Sequence, residues 1–125
     1  MPDLKNIALT IPAGQTAADL RHRLDLPEQM DVIRLGFAYA VRSTLSLERD
    51  GSFGARGGSN YDVGGLDPDG LMAATVRLYY PDPHVLSEPY RAVETLMNKG
   101  LLLLAQHQQE GIFYSVSDLV QPPEE

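Results

Sequence analysis

The chain has no cysteine. That excludes disulfides, thiolate zinc sites and cysteine nucleophiles, and it fits a protein of the reducing cytoplasm. It has two lysines, Lys5 and Lys99, and it is acidic, with a formal net charge of −7. A strong solo nucleic-acid binder usually carries a basic surplus, so the sign counts against that class. Long apolar runs are missing too. The longest, "GLLLLA", falls far short of the roughly 18 residues a membrane span needs. The opening "MPDLKNIALTIP" lacks a basic stretch ahead of a long apolar core, so no secretory signal is expected.

What is present suits one domain. A chain of 125 residues can bury about two thirds of its unfolded surface, enough to fold without staples. Its charge is uneven. Residues 1–50 hold six Lys/Arg against seven Asp/Glu, while residues 51–90 and 91–125 each hold two against five. Most of the arginines lie in the near-neutral first part, so an anion-facing surface is expected there.

"LKNIALTIP" alternates with period two. Ile7, Leu9 and Ile11 lie on one face and Asn6, Ala8 and Thr10 on the other, which predicts a short half-buried strand closed by Pro12 and Gly14. Thr16 is a candidate cap for a helix over "AADLRHRLDL", with Leu20 and Leu24 on one face and Pro27 as its stop. "EQMDVIRLGFAYAVRSTLSL" predicts a second helix, apolar nearly all round from Met30 to Val41, with Asp31, Arg34 and Arg42 along one edge. Such a helix is a buried one. In a chain this small, residues 29–45 are expected to pack against a second subunit as well as the core.

Glycines crowd residues 50–70. "LMAATVRLYYP" mixes strand and helix signals and is assigned as helix; "PDPHVLSEP" is assigned as loop. "EPYRAVETLMNKGLLLLAQHQQE" predicts a long helix. Val93, Leu96, Met97, Leu101 and Leu104 recur on one side, Arg91, Glu94 and Asn98 on the other, and Gly111 ends it. "IFYSVSDLV" is a short closing segment. The layout is one domain over residues 1–120, with the glycine-rich loop inside it, and a solvated tail over 121–125.

The stretch "RGGSNYDVGG" is not a Walker A loop, a dinucleotide fingerprint or a nucleophile elbow. Backbone amides and Arg56 could touch a phosphate; a mobile, turn-rich connection is the favoured reading. Asp62, Asp67 and Asp69 lack the ligand spacing of a calcium loop and read as turn residues. His22, His84 and His107 show no metal spacing, and no serine–histidine–acid set or metal cage is visible. No cofactor and no catalytic activity is expected.

Strand, helix, helix is the order of a ribbon–helix–helix module. There, strands pair across a dimer and outward residues enter the major groove. Asn6, Ala8 and Thr10, with Lys5 beside them, would be that outward set. The alternative is a structural strand over core helices.

Three stretches carry a more specific likeness. "LRHRLDLPEQMDVIRLGFAYAV", "SNYDVGGLDPDGLMAATVRLYY" and "YRAVETLMNKGLLLLAQ" resemble corresponding segments of DndE, the small subunit of bacterial DNA phosphorothioation systems. The third is the most specific, because Asn98, Lys99 and Gly100 stand where that family has an Asn–Lys/Arg–Gly triplet. The likeness covers most of residues 18–120. It implies a mainly α fold with a ribbon–helix–helix-like core, a short N-terminal strand plus helices and a long C-terminal helix, assembled as an oligomer, a tetramer by the family's habit. It implies a non-catalytic accessory subunit that binds nicked duplex DNA. Its partners would be a sulfur-transfer enzyme, an adenylating iron–sulfur enzyme and an ATPase.

The expected phosphate-positioning residues are Lys5, Arg21, Arg23, Arg42, Arg56 and Lys99. Here the chain departs from the family's basic surface. An oligomer could gather Arg21, Arg23, Arg34 and Arg42 into a patch, or Arg34 and Arg42 could be tied to Asp31 and Asp25. The alternatives are an acidic protein–protein adaptor that never touches DNA, and a ribbon–helix–helix transcriptional regulator.

Overall fold

In a computed structural model, which describes residues 3–120, the chain is mainly helical, with a two-stranded antiparallel sheet. The expected tail over 121–125 lies outside the described residues. The elements are β1 (Asn6–Thr10), α1 (Ile11–Arg23), α2 (Gln29–Arg42), β2 (Arg56–Asp62), α3 (Val63–Leu66), α4 (Leu71–Tyr79), α5 (Pro83–Ser87), α6 (Pro89–Gln109) and α7 (Val116–Val120).

The first helix begins five residues before the expected Thr16 cap. Thr10 is the N-cap, and its Oγ1 accepts the Ala13 N–H at 3.2 Å. Pro12 therefore sits in the first turn, where its missing N–H has no partner to lose, and it opens the helix instead of closing a strand. The helix also ends before Pro27. Asp25 adopts a left-handed φ of 53°, and Leu26 N–H donates back to the Arg21 carbonyl. That is the geometry of a left-handed C-terminal cap, with proline following it. α2 stops in the same way at Arg42, short of residue 45, with Thr44 at φ 55° and Leu45 N–H on the Ala40 carbonyl.

The centre of the fold is α6, not α2. Every residue from Ala92 to Asn98 is buried, as are Gly100, Leu101 and Leu104. α2 instead leaves Arg34, Ala38 and Arg42 exposed. The two helices cross where Gly36 meets Gly100. A Cβ on Gly100 would lie 1.8 Å from the Gly36 carbonyl oxygen, so main chain touches main chain there. Ile7, Leu9, Leu20, Ile33, Phe37, Val76, Val93, Leu96 and Leu101 share one contiguous core around that crossing. Gly111, at φ 75°, follows the end of α6 as expected, and α4 is the helix assigned to that segment. The loop assigned to "PDPHVLSEP" contains the short α5.

The glycine-rich connection is corrected by the structure. Its middle is β2, which pairs antiparallel with β1 in the register Asn6↔Asp62, Ile7↔Tyr61, Ala8↔Asn60 and Thr10↔Arg56, with an irregularity between Ala8 and Thr10. The glycines serve that irregularity. A Cβ on Gly58 would lie 2.9 Å from Leu9 Cβ and 3.0 Å from the Thr10 carbonyl oxygen. Bare backbone is what lets the strands approach so closely.

The expected outward set on β1 is corrected too. Ala8 and Thr10 are buried, and only Asn6 is exposed. β1 takes its strand partner, β2, from its own chain. No helix among the described residues is long and apolar enough to cross a membrane.

Candidate anion-binding cleft

Glu94 and Asn98 lie one turn apart on α6, expected on its polar side yet fully enclosed. They complete the free edge of β1. The Glu94 carboxylate accepts the Ala8 N–H at 2.9 Å. Asn98 Oδ1 accepts the Thr10 N–H at 2.8 Å, and its Nδ2 donates to the Ala8 carbonyl at 3.0 Å and the Glu94 carbonyl at 2.8 Å. Two helical side chains thus stand in for a third strand, which satisfies backbone groups that could not remain buried and unpaired.

A buried carboxylate needs a counter-charge, and two arginines supply it. Arg56, from β2, reaches Glu94 Oε2 at 3.1 Å and the Asn6 carbonyl at 3.2 Å. Arg49, from the segment between α2 and β2, reaches Glu94 Oε1 at 3.5 Å and donates through Nε to Thr95 Oγ1 at 3.0 Å. Its guanidinium also lies 4.6 Å over the Phe53 ring, a cation–π contact. Arg91, one turn before Thr95 on α6, lies 3.3 Å from Glu88.

These groups surround one cleft of about 360 Å³, lined also by His84, Val85, Leu4 and Leu47. Glu94 is the floor, 2% exposed; the three arginines form the rim, at 40%, 49% and 45%. Three guanidiniums face two carboxylates, which leaves one positive charge in excess on a chain that is acidic as a whole. The first turn of α6, a 21-residue helix, borders the cleft with its positive end. One of its free N–H groups, that of Tyr90, already holds the Asp3 carboxylate at 2.9 Å.

Of the six residues expected to meet an anion, only Arg56 lines this cleft. The others are scattered. Lys5 is exposed at the start of the ribbon, and its carbonyl accepts the Val63 N–H. Arg21 donates to the Pro27 carbonyl and Arg23 to Gln108. Arg42 donates to the Leu119 carbonyl, not to an aspartate. Lys99 holds the Ser46 and Glu48 carbonyls, so it fastens the segment that carries Arg49. Arg34 is tied to the Gly65 and Leu66 carbonyls, while Asp31 accepts the Glu28 N–H at the start of α2.

Arg49, Arg91 and His84 were missing from the sequence-based set. Arg91 and Glu94 carry a signal, a basic and an acidic residue one turn apart on a helix; Arg49 carries none. Among the aspartates, Asp67 accepts the N–H groups of Met72 and Ala73 and the Tyr90 hydroxyl, so it caps α4. Tyr90 is pushed up to about 12, by burial first and then by its bond to Asp67. Asp50 is held below the usual carboxylate range by its bonds from Ser52.

Compared with known protein families, with curated proteins and with solved structures, the chain matches none.

Proposed function

We propose that this chain is a non-catalytic accessory subunit of a DNA phosphorothioate-modification system, working in the cytoplasm. It would hold DNA, preferentially nicked duplex, and bridge the sulfur-transfer enzyme and the ATPase. The segment resemblance to DndE motivates the reading. The observation that supports it best is the convergence of Arg49, Arg56 and Arg91 on one cleft with a positive excess. Planar guanidiniums bind phosphate oxygens in pairs, and they do so without reading sequence. Lys5, Arg21, Arg23 and Arg42 would add dispersed backbone contacts. The ribbon–helix–helix likeness is kept only in the order of elements, because β1 pairs within its own chain.

Anisotropy titrations with labelled intact, nicked and single-stranded DNA, at low and moderate salt, test the reading. Salt-dependent binding that favours nicked duplex is the expected result, because each neutralised phosphate releases counterions. No binding to any DNA at low salt overturns it.

A second reading, a protein–protein adaptor, is favoured by α4. Leu71, Leu78 and Tyr79 are exposed at 64%, 73% and 64%. Tyr79 also lines a groove of about 530 Å³ with Phe37, Val41 and Tyr80. A homo-oligomer formed through α2 and α4 would cover the same face. Mass measurement in solution, alone and with the purified enzymes, separates these outcomes.

A further inference from the structure

We infer that the Arg49–Arg56–Arg91 cleft is a single-phosphate site whose affinity is held down by Glu94, an internal carboxylate already bound to two of its arginines. The inference deepens the DNA reading above and rests on it for the source of the phosphate.

Size limits the ligand first. About 360 Å³ is at the small end of ligand sites. It admits one phosphate group with its attached sugar, not the width of a duplex. Donor supply comes next. Arg49 Nη1, Arg56 Nε and Nη1, and both Arg91 Nη atoms make no hydrogen bond among the described residues, while Arg49 and Arg56 are anchored through their other nitrogens and Arg91 Nε is ion-paired with Glu88 at 3.3 Å. Guanidiniums held in place with N–H groups to spare form a partly pre-organised cradle, which loses less side-chain freedom on binding.

Charge then sets the strength. Glu94 lies beneath the same guanidiniums, 3.1 Å from Arg56 and 3.5 Å from Arg49. Its negative charge opposes an incoming phosphate across a few ångströms. Glu94 cannot swing away, because its Oε2 also holds the Ala8 N–H. The cleft therefore keeps a modest affinity suited to a phosphate that is released again.

Glu94→Gln separates this from a purely structural role. The amide oxygen can still accept the Ala8 N–H, while the opposing charge is gone. The variant is expected to bind inorganic phosphate and nicked DNA about tenfold more tightly, the effect of one nearby unit charge after screening. Arg49→Ala and Arg91→Ala are expected to bind about tenfold more weakly. Phosphate binding is read by shifts of the arginine Nε–Hε resonances, and DNA binding by anisotropy, with nicks that carry a 5′-phosphate or a 5′-hydroxyl.

A preference for the phosphorylated nick that is lost in the arginine variants assigns the ligand as a strand-end monoester. Equal binding of both nicks, weakened by the same variants, assigns a backbone diester. Both support the site. Phosphate binding without DNA affinity supports the cleft and removes the DNA reading. DNA binding untouched by all three folded variants overturns the cleft and leaves the DNA reading standing. No binding of phosphate or DNA by the wild type or by Glu94→Gln overturns both. If Glu94→Gln does not fold, unchanged phosphate and DNA binding in the two arginine variants alone overturns the cleft.

Discussion

Replacing Asn98 by alanine should be among the costliest polar deletions in this protein. Asn98 is 1% exposed and serves three backbone groups: the Thr10 N–H, the Ala8 carbonyl and the Glu94 carbonyl. The Glu94 carbonyl belongs to α6 and can rely on its own helix. The other two lie on β1, on the edge away from β2, and would be left without a partner inside the core. An orphaned buried polar group costs about 1–3 kcal/mol, so the pair should cost about 3–5 kcal/mol with the small cavity included. That is a large share of the stability of a domain this size, about 5–15 kcal/mol. Urea unfolding followed by circular dichroism would read it as a lower midpoint at unchanged slope. Asn98→Asp tests the same reasoning without a cavity. It keeps an acceptor for Thr10 but aims a carboxylate oxygen at the Ala8 carbonyl, so it should cost at least as much as alanine. Losses below about 1 kcal/mol for both variants would refute the idea that this side chain completes the sheet.

Three further outcomes follow from packing, ionisation and backbone geometry. Gly100→Ala should prevent folding to the native state, because its Cβ meets the fixed Gly36 carbonyl at 1.8 Å; Gly36→Ala meets the Leu101 side chain at 2.8 Å and its backbone nitrogen at 3.2 Å and should cost about 1–3 kcal/mol, both read by thermal melts. Tyr90 ionises at about 12 in the fold against about 10 unfolded, so its contribution is whole below pH 10 and is lost as pH rises toward 12; Tyr90→Phe should flatten that fall in chemical-denaturation midpoints measured from pH 9 to 12. Thr44, a β-branched residue at φ 55°, should be improved by Thr44→Asn by about 0.5–1 kcal/mol, seen as a raised urea midpoint.

Where apolar periodicity was strong, the fold was legible. Val93, Leu96, Met97, Leu101 and Leu104 outline α6, and Ile7 with Leu9 outlines β1. Boundaries failed where a cap decided them. Pro12 breaks a strand or opens a helix equally well, and only the Thr10 hydroxyl chooses. β2 failed most fully, because "RGGSNYD" has no apolar alternation; its strand character comes from β1 lying beside it. Glu94 and Asn98 failed for the opposite reason. By residue type they belong to a wet face, and it takes the β1 edge to bring them inside. The cleft was half legible. Arg56 stood out among glycines, while Arg49 acquires its place only when Lys99 ties down the segment around it.

The contact between Gly36 and Gly100 also limits how this protein can change. Most helix pairs meet through side chains, which can be traded against one another as sequences drift. Here the obstacle to any larger residue at position 100 is a peptide carbonyl, and no substitution at position 36 removes it. Sliding α2 along α6 by one residue would bring a side chain to the same point, so the pair has a single register. With the β1 edge and the arginine cleft built on the turns of α6 before that point, the spacing between α2 and the cleft is fixed in the main chain itself.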